Sequence, residues 1–548
     1  MIKEKKETLK ETKEALKEKK EILKKKIDES QAIEKGKKGL FGVIYGRTAV
    51  IIILLLLQIL MLFLAYQYLQ DKGMFLNAIL RVFAVVLVIH IINCRENPAF
   101  MISWIILILG WPVFGTLLYV FVALQPGTKW INKHLQNMHI ETRHYWMQNE
   151  KVTENLSKES PEMPHLSKYV YQRGGFPTYQ NTSAKYFPDG QAKFEELLVQ
   201  LEKAQKFIFM EYFIVAKGYM WKTILEVLVR KAAEGVEVRF MYDGTCSFSM
   251  LPYNYPKKIE ELGIQCHMFA PVVPALSTHQ NNRDHRKIVV IDGRVAFTGG
   301  INLADEYIGK KERFGIWKDT AVMIEGDAVR SFTLMFLEMW NVEKHRRAEI
   351  FDPYLDVEQI KFPVKGDGFV MPYGDSPLDN EQVGESVYMD ILYTAKDYVH
   401  IMTPYLILGH EMITALTYAA KRGVEVIIMM PHIPDKKYAF MLAKTYYCEL
   451  MDAGVQIYEY TPGFVHAKVF TSDDRKAVVG TINLDYRSLY LHFECAVYLY
   501  RNSVIPSIEA DFQETLKECR KMSREDVKSQ PLGSRIAGKA LRLLAPLM

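Results

Sequence analysis

Two stretches of the chain carry residues suited to phosphoryl chemistry, and they carry them at the same spacing. NRDHRKIVVIDGRVAFTGGINLAD, residues 282–305, contains His285, Lys287, Asp292, Gly299 and Asn302, and residues 464–486 repeat the order as His466, Lys468, Asp473, Gly480 and Asn483. Every pair is separated by 181 residues, a register held at five positions, which indicates an internal duplication. The Val, Ile and Phe content of both stretches reads as strand, where alternate side chains share a face. His285 and Lys287 therefore point one way and Arg286 the other, and His466 and Lys468 repeat the arrangement. An imidazole beside an ammonium, with an Asn amide delivered from a Gly-marked turn, makes a small anion site with one titratable nitrogen in it.

Two such sites facing each other would surround one phosphodiester with two Lys, two Asn and two His. Positioning and charge neutralisation supply most of the catalysis in phosphoryl transfer, so neither a metal nor another cofactor is called for. One neutral His attacks phosphorus and becomes a phospho-histidine. The other, protonated, gives its proton to the leaving alkoxide and then takes one from the incoming hydroxyl. The two rings must start in opposite protonation states. Arg283 and Arg286 make the first motif the more cationic one, and either could hold the phosphate of a second substrate molecule.

The paired His-x-Lys-x4-Asp motifs resemble those of the phospholipase D superfamily. RDHRKIVVIDGRVAFTGGINLADEYIG with Trp317-Lys318-Asp319 resembles the bacterial cardiolipin synthases in particular, and the resemblance covers nearly everything after residue 75. It implies an α/β fold of two tandem phospholipase D-like α/β/α sandwich halves, with the active site at their junction and transmembrane helices before them. It implies His285 as nucleophile and His466 as acid/base, with Lys287 and Lys468 completing the catalytic motifs and Asn302 and Asn483 binding substrate. Glu494 and Asp319 match carboxylates that hydrogen-bond the histidines, whereas Asp292 and Asp473 would tie down the strand. The implied reaction joins two phosphatidylglycerol molecules into cardiolipin and glycerol, with membrane phospholipids as partners and no nucleic acid. A phospholipase D-type hydrolase or another phosphatidyltransferase would use the same residues.

The elements that position these residues follow in order. A chain of 548 residues exceeds one core, and a net charge of +5 is too small for a dedicated nucleic-acid binder. Its six Cys are scattered without a Cys-x-x-Cys, so neither a zinc site nor a disulfide framework is suggested. Residues 1–40 alternate Lys and Glu, with Leu9, Leu16 and Leu23 at heptad spacing, and residues 1–47 read as a charged cytoplasmic helix. Residues 48–124 read as a membrane segment of two or three spans. Its apolar runs are 48–69, then 75–92 with Arg81 and His90, then 99–122 with Pro112 and Gly115. Three spans satisfy the positive-inside count and would put the catalytic region outside, whereas two would put it inside; either makes the chain a multi-pass protein of the cell membrane. Residues 125–165 are a linker. Strand-and-helix alternation then marks a first half over 166–350 and a second over 351–505, echoed by AAEGVEV and AAKRGVEV. Residues 506–548 form a C-terminal helical tail whose basic amphipathic end suits a membrane surface or a packed terminal helix equally.

Overall fold

The computed structural model describes residues 74–94, 97–123, 126–248, 250–271, 281–343, 351–355, 366–379 and 381–547, with a few positions between 53 and 67. The charged helix expected over 1–47 lies outside the described residues, as do most of the run at 48–69, residues 272–274 and most of the stretch between the halves.

Among the described residues, eighteen strands form the scaffold. In the first half these are β1 (Thr182–Phe187), β2 (Phe207–Tyr212), β3 (Glu237–Asp243), β4 (Gln265–Phe269), β5 (Arg283–Asp284), β6 (Lys287–Ile291), β7 (Val295–Gly299), β8 (Ile316–Lys318) and β9 (Ala321–Gly326). In the second they are β10 (Phe369–Asp375), β11 (Tyr398–Met402), β12 (Glu425–Pro431), β13 (Gln456–Tyr460), β14 (Gly463–Val465), β15 (Val469–Ser472), β16 (Lys476–Gly480), β17 (His492–Tyr500) and β18 (Cys519–Lys521).

The first sheet runs β1-β9-β7-β6-β2-β3-β4 and the second β10-β17-β16-β15-β11-β12-β13, with β18 added at its edge. The β2-β3-β4 and β11-β12-β13 triplets are parallel and the remaining neighbours antiparallel, in the same places in both sheets. The duplication read from the motifs is thus a duplication of topology. It extends to the caps: the helices Tyr219–Ala233 and His410–Lys421 are each followed by a glycine at φ 95°, Gly235 and Gly423, where a residue with a Cβ would be strained.

Strand alternation decides the layering. Ile208, Met210 and Tyr212 of β2 face outward onto Trp221 and Leu228 of the Tyr219–Ala233 helix. Phe207 and Phe209 face inward, where they share one core with Val465, Val479 and Val497 of the second sheet and with Phe332, Phe336 and Trp340 of the Val329–Glu343 helix. The outer face of the second sheet packs on Val387, Leu416 and Tyr447. Each sheet is covered by helices on its outer face, and the two inner faces share one apolar core with the Val329–Glu343 and Ile505–Leu516 helices, because the central strands are apolar on both faces. Opening that core would cost about 1.5–3 kcal/mol for each large side chain exposed. β18 is a difference, since the segment expected as a helical tail contributes an edge strand beside β13.

The expected third apolar run is not one helix. Asn97 caps a helix from Pro98 to Gly110, the chain turns at Trp111, and a second helix runs from Pro112 to Ala123. The two fold back on each other: the rings of Trp104 and Tyr119 lie 5.2 Å apart, and a Cβ on Gly115 would sit 2.6 Å from the Leu107 carbonyl oxygen. Pro112 has no N–H with which to continue the first helix, which explains the break. Among the described residues no helix is long and apolar enough to cross a membrane. The hairpin leaves Ile102, Ile106, Leu109 and Trp111 exposed, as the preceding helix, Met74–Ile92, leaves Val82, Val85, Val86 and Ile89. Phe100 seats it edge-on against Tyr486 and Tyr490 of the second half.

Candidate active site

The site depends on two short strands that leave their own sheets. β5 pairs in parallel with the beginning of β17, and β14, its counterpart, pairs in parallel with β8 of the first half. The residue after each short strand is a motif histidine. His285 N donates to the Phe493 carbonyl at 2.9 Å, and His466 N donates to that of Lys318 at 2.7 Å. In both cases the next residue of the opposite half is an acid. His285 Nδ1 lies 2.9 Å from Glu494 Oε1 and 3.0 Å from Oε2. His466 Nδ1 lies 2.7 Å from Asp319 Oδ2. Each ring is therefore aimed by a carboxylate from the other half, and neither half alone holds a complete site.

The lysines are buried beside the rings. Lys287 Nζ donates to the His285 carbonyl at 2.5 Å, whereas Lys468 Nζ bonds the His466 carbonyl and lies 3.0 Å from His466 Nδ1. Burial pushes Lys287 down to about 8 and Lys468 to about 7, against the pull of Glu494 and Asp319 on the first and Asp319 on the second. Asn302 accepts from Ile214 N at 3.0 Å and donates to Tyr307 Oη at 2.8 Å. Asn483 donates to Ser488 Oγ at 3.0 Å, and its buried Oδ1 has no partner among the described residues.

Both histidines and both asparagines line one cavity of about 1120 Å³. Phe213, Tyr307, Trp317 and Tyr405 supply aromatic wall, and seven Lys and Arg side chains, Arg283 and Arg487 among them, outnumber the three carboxylates Glu306, Asp435 and Asp485. The lining thus carries an excess of positive charge beside aromatic surface.

Asp292 and Asp473 lie elsewhere, at the far ends of β6 and β15. Asp292 accepts from the backbone amides of Gln205, Lys206 and Phe207 at 2.7–2.8 Å, and Asp473 from those of Lys396, Asp397 and Tyr398 at 2.9–3.0 Å. Both have φ 54°, so they turn the hairpin and pin it to the start of β2 or β11. Arg286 is a correction to the idea that either nearby Arg could hold a second phosphate. Its side chain is buried against Glu211 at 2.6 Å and Asp284 at 3.2 Å, and it borders a different cavity, of about 330 Å³. Strand alternation turns it away from His285. Arg283 does line the active cavity, with Nη1 donating to the Ala270 carbonyl at 2.8 Å.

The two His–carboxylate pairs differ in basicity. Burial alone would raise Glu494, but its interactions with His285 and then His492 hold it well below the usual carboxylate range. Burial pushes His285 well below 6.5 even against Glu494. A neutral His285 ring facing an ionised Glu494 would carry its proton on Nδ1 and a lone pair on Nε2. Asp319 behaves differently: burial pushes it up to about 7 against the pull of Lys468. Burial, Lys468 and Lys287 lower His466. The Asp319–His466 pair can thus hold one proton near neutral pH.

Tyr307, Trp317, His492 and Arg487 also border the cavity and were not singled out as site residues in the sequence. The repeat carried a signal for the first: Tyr307 and Ser488 each follow their Asn by five residues, and each accepts that Asn's amide.

Residues 197–340 and 388–516 match the family described as cardiolipin synthase, PLD-like domain. An uncharacterized protein of Streptococcus mutans is 51% identical over 461 residues, 84% of this chain and 99% of the relative. A cardiolipin synthase of a Geobacillus species is 32% identical over 501 residues, 91% of this chain and 99% of the relative. That of Alkalihalophilus pseudofirmus is 33% identical over 470 residues, 84% and 92%. The crystal structure of phosphatidylserine synthase from Haemophilus influenzae shares the fold, at 11% identity and a TM-score of 0.52, over 70% of this chain and 100% of that one. A chain that keeps this similarity from end to end of its relatives belongs to the cardiolipin synthase family of phospholipase D-like proteins.

Proposed function

We propose that the protein is a phosphatidyltransferase that makes cardiolipin from two phosphatidylglycerol molecules through a phospho-histidine on His285, without a metal. The observation that carries the assignment of roles is the difference between the two carboxylates. Ionised Glu494 fixes the His285 proton on Nδ1, leaving Nε2 free to attack phosphorus. Asp319, near 7, and His466 keep the proton that the leaving glycerol needs. In the first step the P–O bond to glycerol breaks as the P–N bond forms, and the proton passes from His466 to glycerol oxygen. In the second, His466 removes the proton of the acceptor's glycerol hydroxyl, whose oxygen displaces His285 from phosphorus.

Lys287 and Lys468, buried one beside each histidine, would with the asparagine amides neutralise the charge that grows in the transition state. An incoming phosphodiester also stabilises the positive forms of His466 and Lys468, which burial alone disfavours. The excess of cations in the cavity suits two anionic headgroups. The exposed apolar hairpin and the Met74–Ile92 helix support a membrane-embedded, multi-pass chain that draws both lipids from the bilayer. Because the 99–122 run folds into a hairpin and not a single span, the three-span count that put the catalytic halves on the outer side does not carry over.

The test is purified full-length protein given labelled phosphatidylglycerol in mixed micelles. Cardiolipin and glycerol should form in equal amounts, EDTA should not slow the reaction, and H285A and H466A should each lose more than nine-tenths of it. Phosphatidic acid as the main product would instead make the protein a hydrolase.

A further inference from the structure

His492 has no part in the chemistry above. In the crossed strands it sits opposite Arg283, as Trp317 sits opposite Phe464, so it occupies the second-half position that Trp317 holds in the first. Trp317 fills its place with an aromatic ring tilted against those of Tyr307 and Phe464, each 4.9 Å away. His492 brings two nitrogens to a position only 8% exposed, and neither has a hydrogen-bond partner among the described residues. An unpaired buried imidazole is unfavourable, and a ligand can relieve it.

The neighbours indicate which ligand. His492 Nδ1 lies 3.7 Å from Glu494 Oε1, and that oxygen lies 2.9 Å from His285 Nδ1. One nitrogen from each ring and one Glu494 oxygen all lie within 4.8 Å of one another. Bonds of about 2.0–2.2 Å to one ion would bring these atoms together with small side-chain rotations. Two imidazoles and a carboxylate form a ligand set for zinc, nickel or copper, and the cavity both rings border leaves a fourth position open.

We propose that His285, His492 and Glu494 bind a divalent transition-metal ion, and that the bound ion switches the enzyme off. The ion takes the Nδ1 lone pair of His285, so the single proton of the neutral ring moves to Nε2. A protonated Nε2 has no electron pair to give to phosphorus. Metal removal returns the proton to Nδ1, facing Glu494, and restores the nucleophile.

The shut-off rests on the cardiolipin-synthase reading, whereas the binding does not, so the two are measured separately. Zn²⁺ stoichiometry on the full-length protein is read by equilibrium dialysis with metal analysis, and cardiolipin formation is followed against buffered free Zn²⁺. Wild type should bind one Zn²⁺ per chain and lose activity as it binds. H492N should keep its metal-free activity while its inhibition midpoint rises at least about tenfold, since losing even an outer-shell partner costs 10- to 100-fold in affinity. Equal Zn²⁺ binding and inhibition in both proteins, or no binding by wild type, would overturn the site. Binding without inhibition would overturn the switch. If H492N folds poorly, H492Q and the wild-type Co²⁺ complex decide: Co²⁺ should give the visible bands of a four-coordinate nitrogen–oxygen site, and their absence counts against it.

Discussion

Replacing Glu494 with Gln isolates the role of the carboxylate, because it changes charge and proton direction while keeping shape. Glu494 is wholly buried, and both its oxygens approach His285 Nδ1, at 2.9 and 3.0 Å. Thr481 Oγ1 also donates to Oε2. In E494Q the hydroxyl of Thr481 keeps the amide oxygen as its acceptor, which turns the amide NH₂ towards His285. That NH₂ donates to Nδ1, so the ring proton moves to Nε2 and the lone pair that attacks phosphorus is lost. The equivalent exchange behind a catalytic His in a hydrolase triad costs about 10⁴ in rate, and misplaced acid–base groups in general about 10² to 10⁴. At 1.36 kcal/mol per tenfold, this is a barrier increase of about 2.7–5.4 kcal/mol. The assay is single-turnover formation of the phosphatidyl-enzyme, quenched in alkali to preserve the P–N bond, alongside steady-state cardiolipin synthesis. Both should fall together while the circular dichroism and the melting temperature stay near wild type. E494Q retaining more than about a tenth of wild-type single-turnover rate would refute the tautomer argument.

Other expectations follow from the same geometry. Asp319 and Lys468 both titrate near 7, so kcat/KM should fall as pH rises above that range, when the pair loses its proton and the lysine its charge. D319N should move this alkaline limb to lower pH, and an unmoved limb would separate Asp319 from the acid. G300A alters no titratable group, yet its Cβ would stand 2.0 Å from Asp319 Oδ1; it should depress activity nearly as far as D319N, and normal turnover would mean that Asp319 need not stay against His466. D292A leaves three amides without an acceptor, that of Phe207 buried, and should destabilise by about 2–4 kcal/mol. D473A should cost less, because its bonds to Lys396 and Asp397 are exposed, and an equal or larger drop in melting temperature would contradict this.

The repeated motifs made the duplicated α/β scaffold and the facing His, Lys and Asn side chains legible, because residue spacing along a strand fixes side-chain direction. What spacing could not convey was which half supplies each partner. β5 and β14 are two and three residues long, too short for a period, and their partners are distant in sequence. Only the fold reveals that Glu494 and Asp319 are exchanged between the halves. Arg286 illustrates a related gap: alternation turned it from the phosphate, but its pairing with Glu211 of β2 needed the sheet. The apolar run at 99–122 read as one span because hydropathy averages over Trp111-Pro112, where backbone hydrogen bonding breaks. The common inner core was written in strands apolar on both faces, a pattern that equally fits a sheet covered by helices on each side.

The central claim is that phosphorus passes through His285 and no other side chain. It is tested most directly by mass spectrometry of H466A quenched in alkali after incubation with phosphatidyl-p-nitrophenol, whose phenolate leaves without the proton that His466 gives to glycerol in the first step. Without the second-step base, a phosphatidyl adduct should accumulate on the peptide that carries His285 and be absent from H285A. An adduct on the Lys468-containing peptide of wild type, or cardiolipin formed with no adduct on any histidine, would contradict the account.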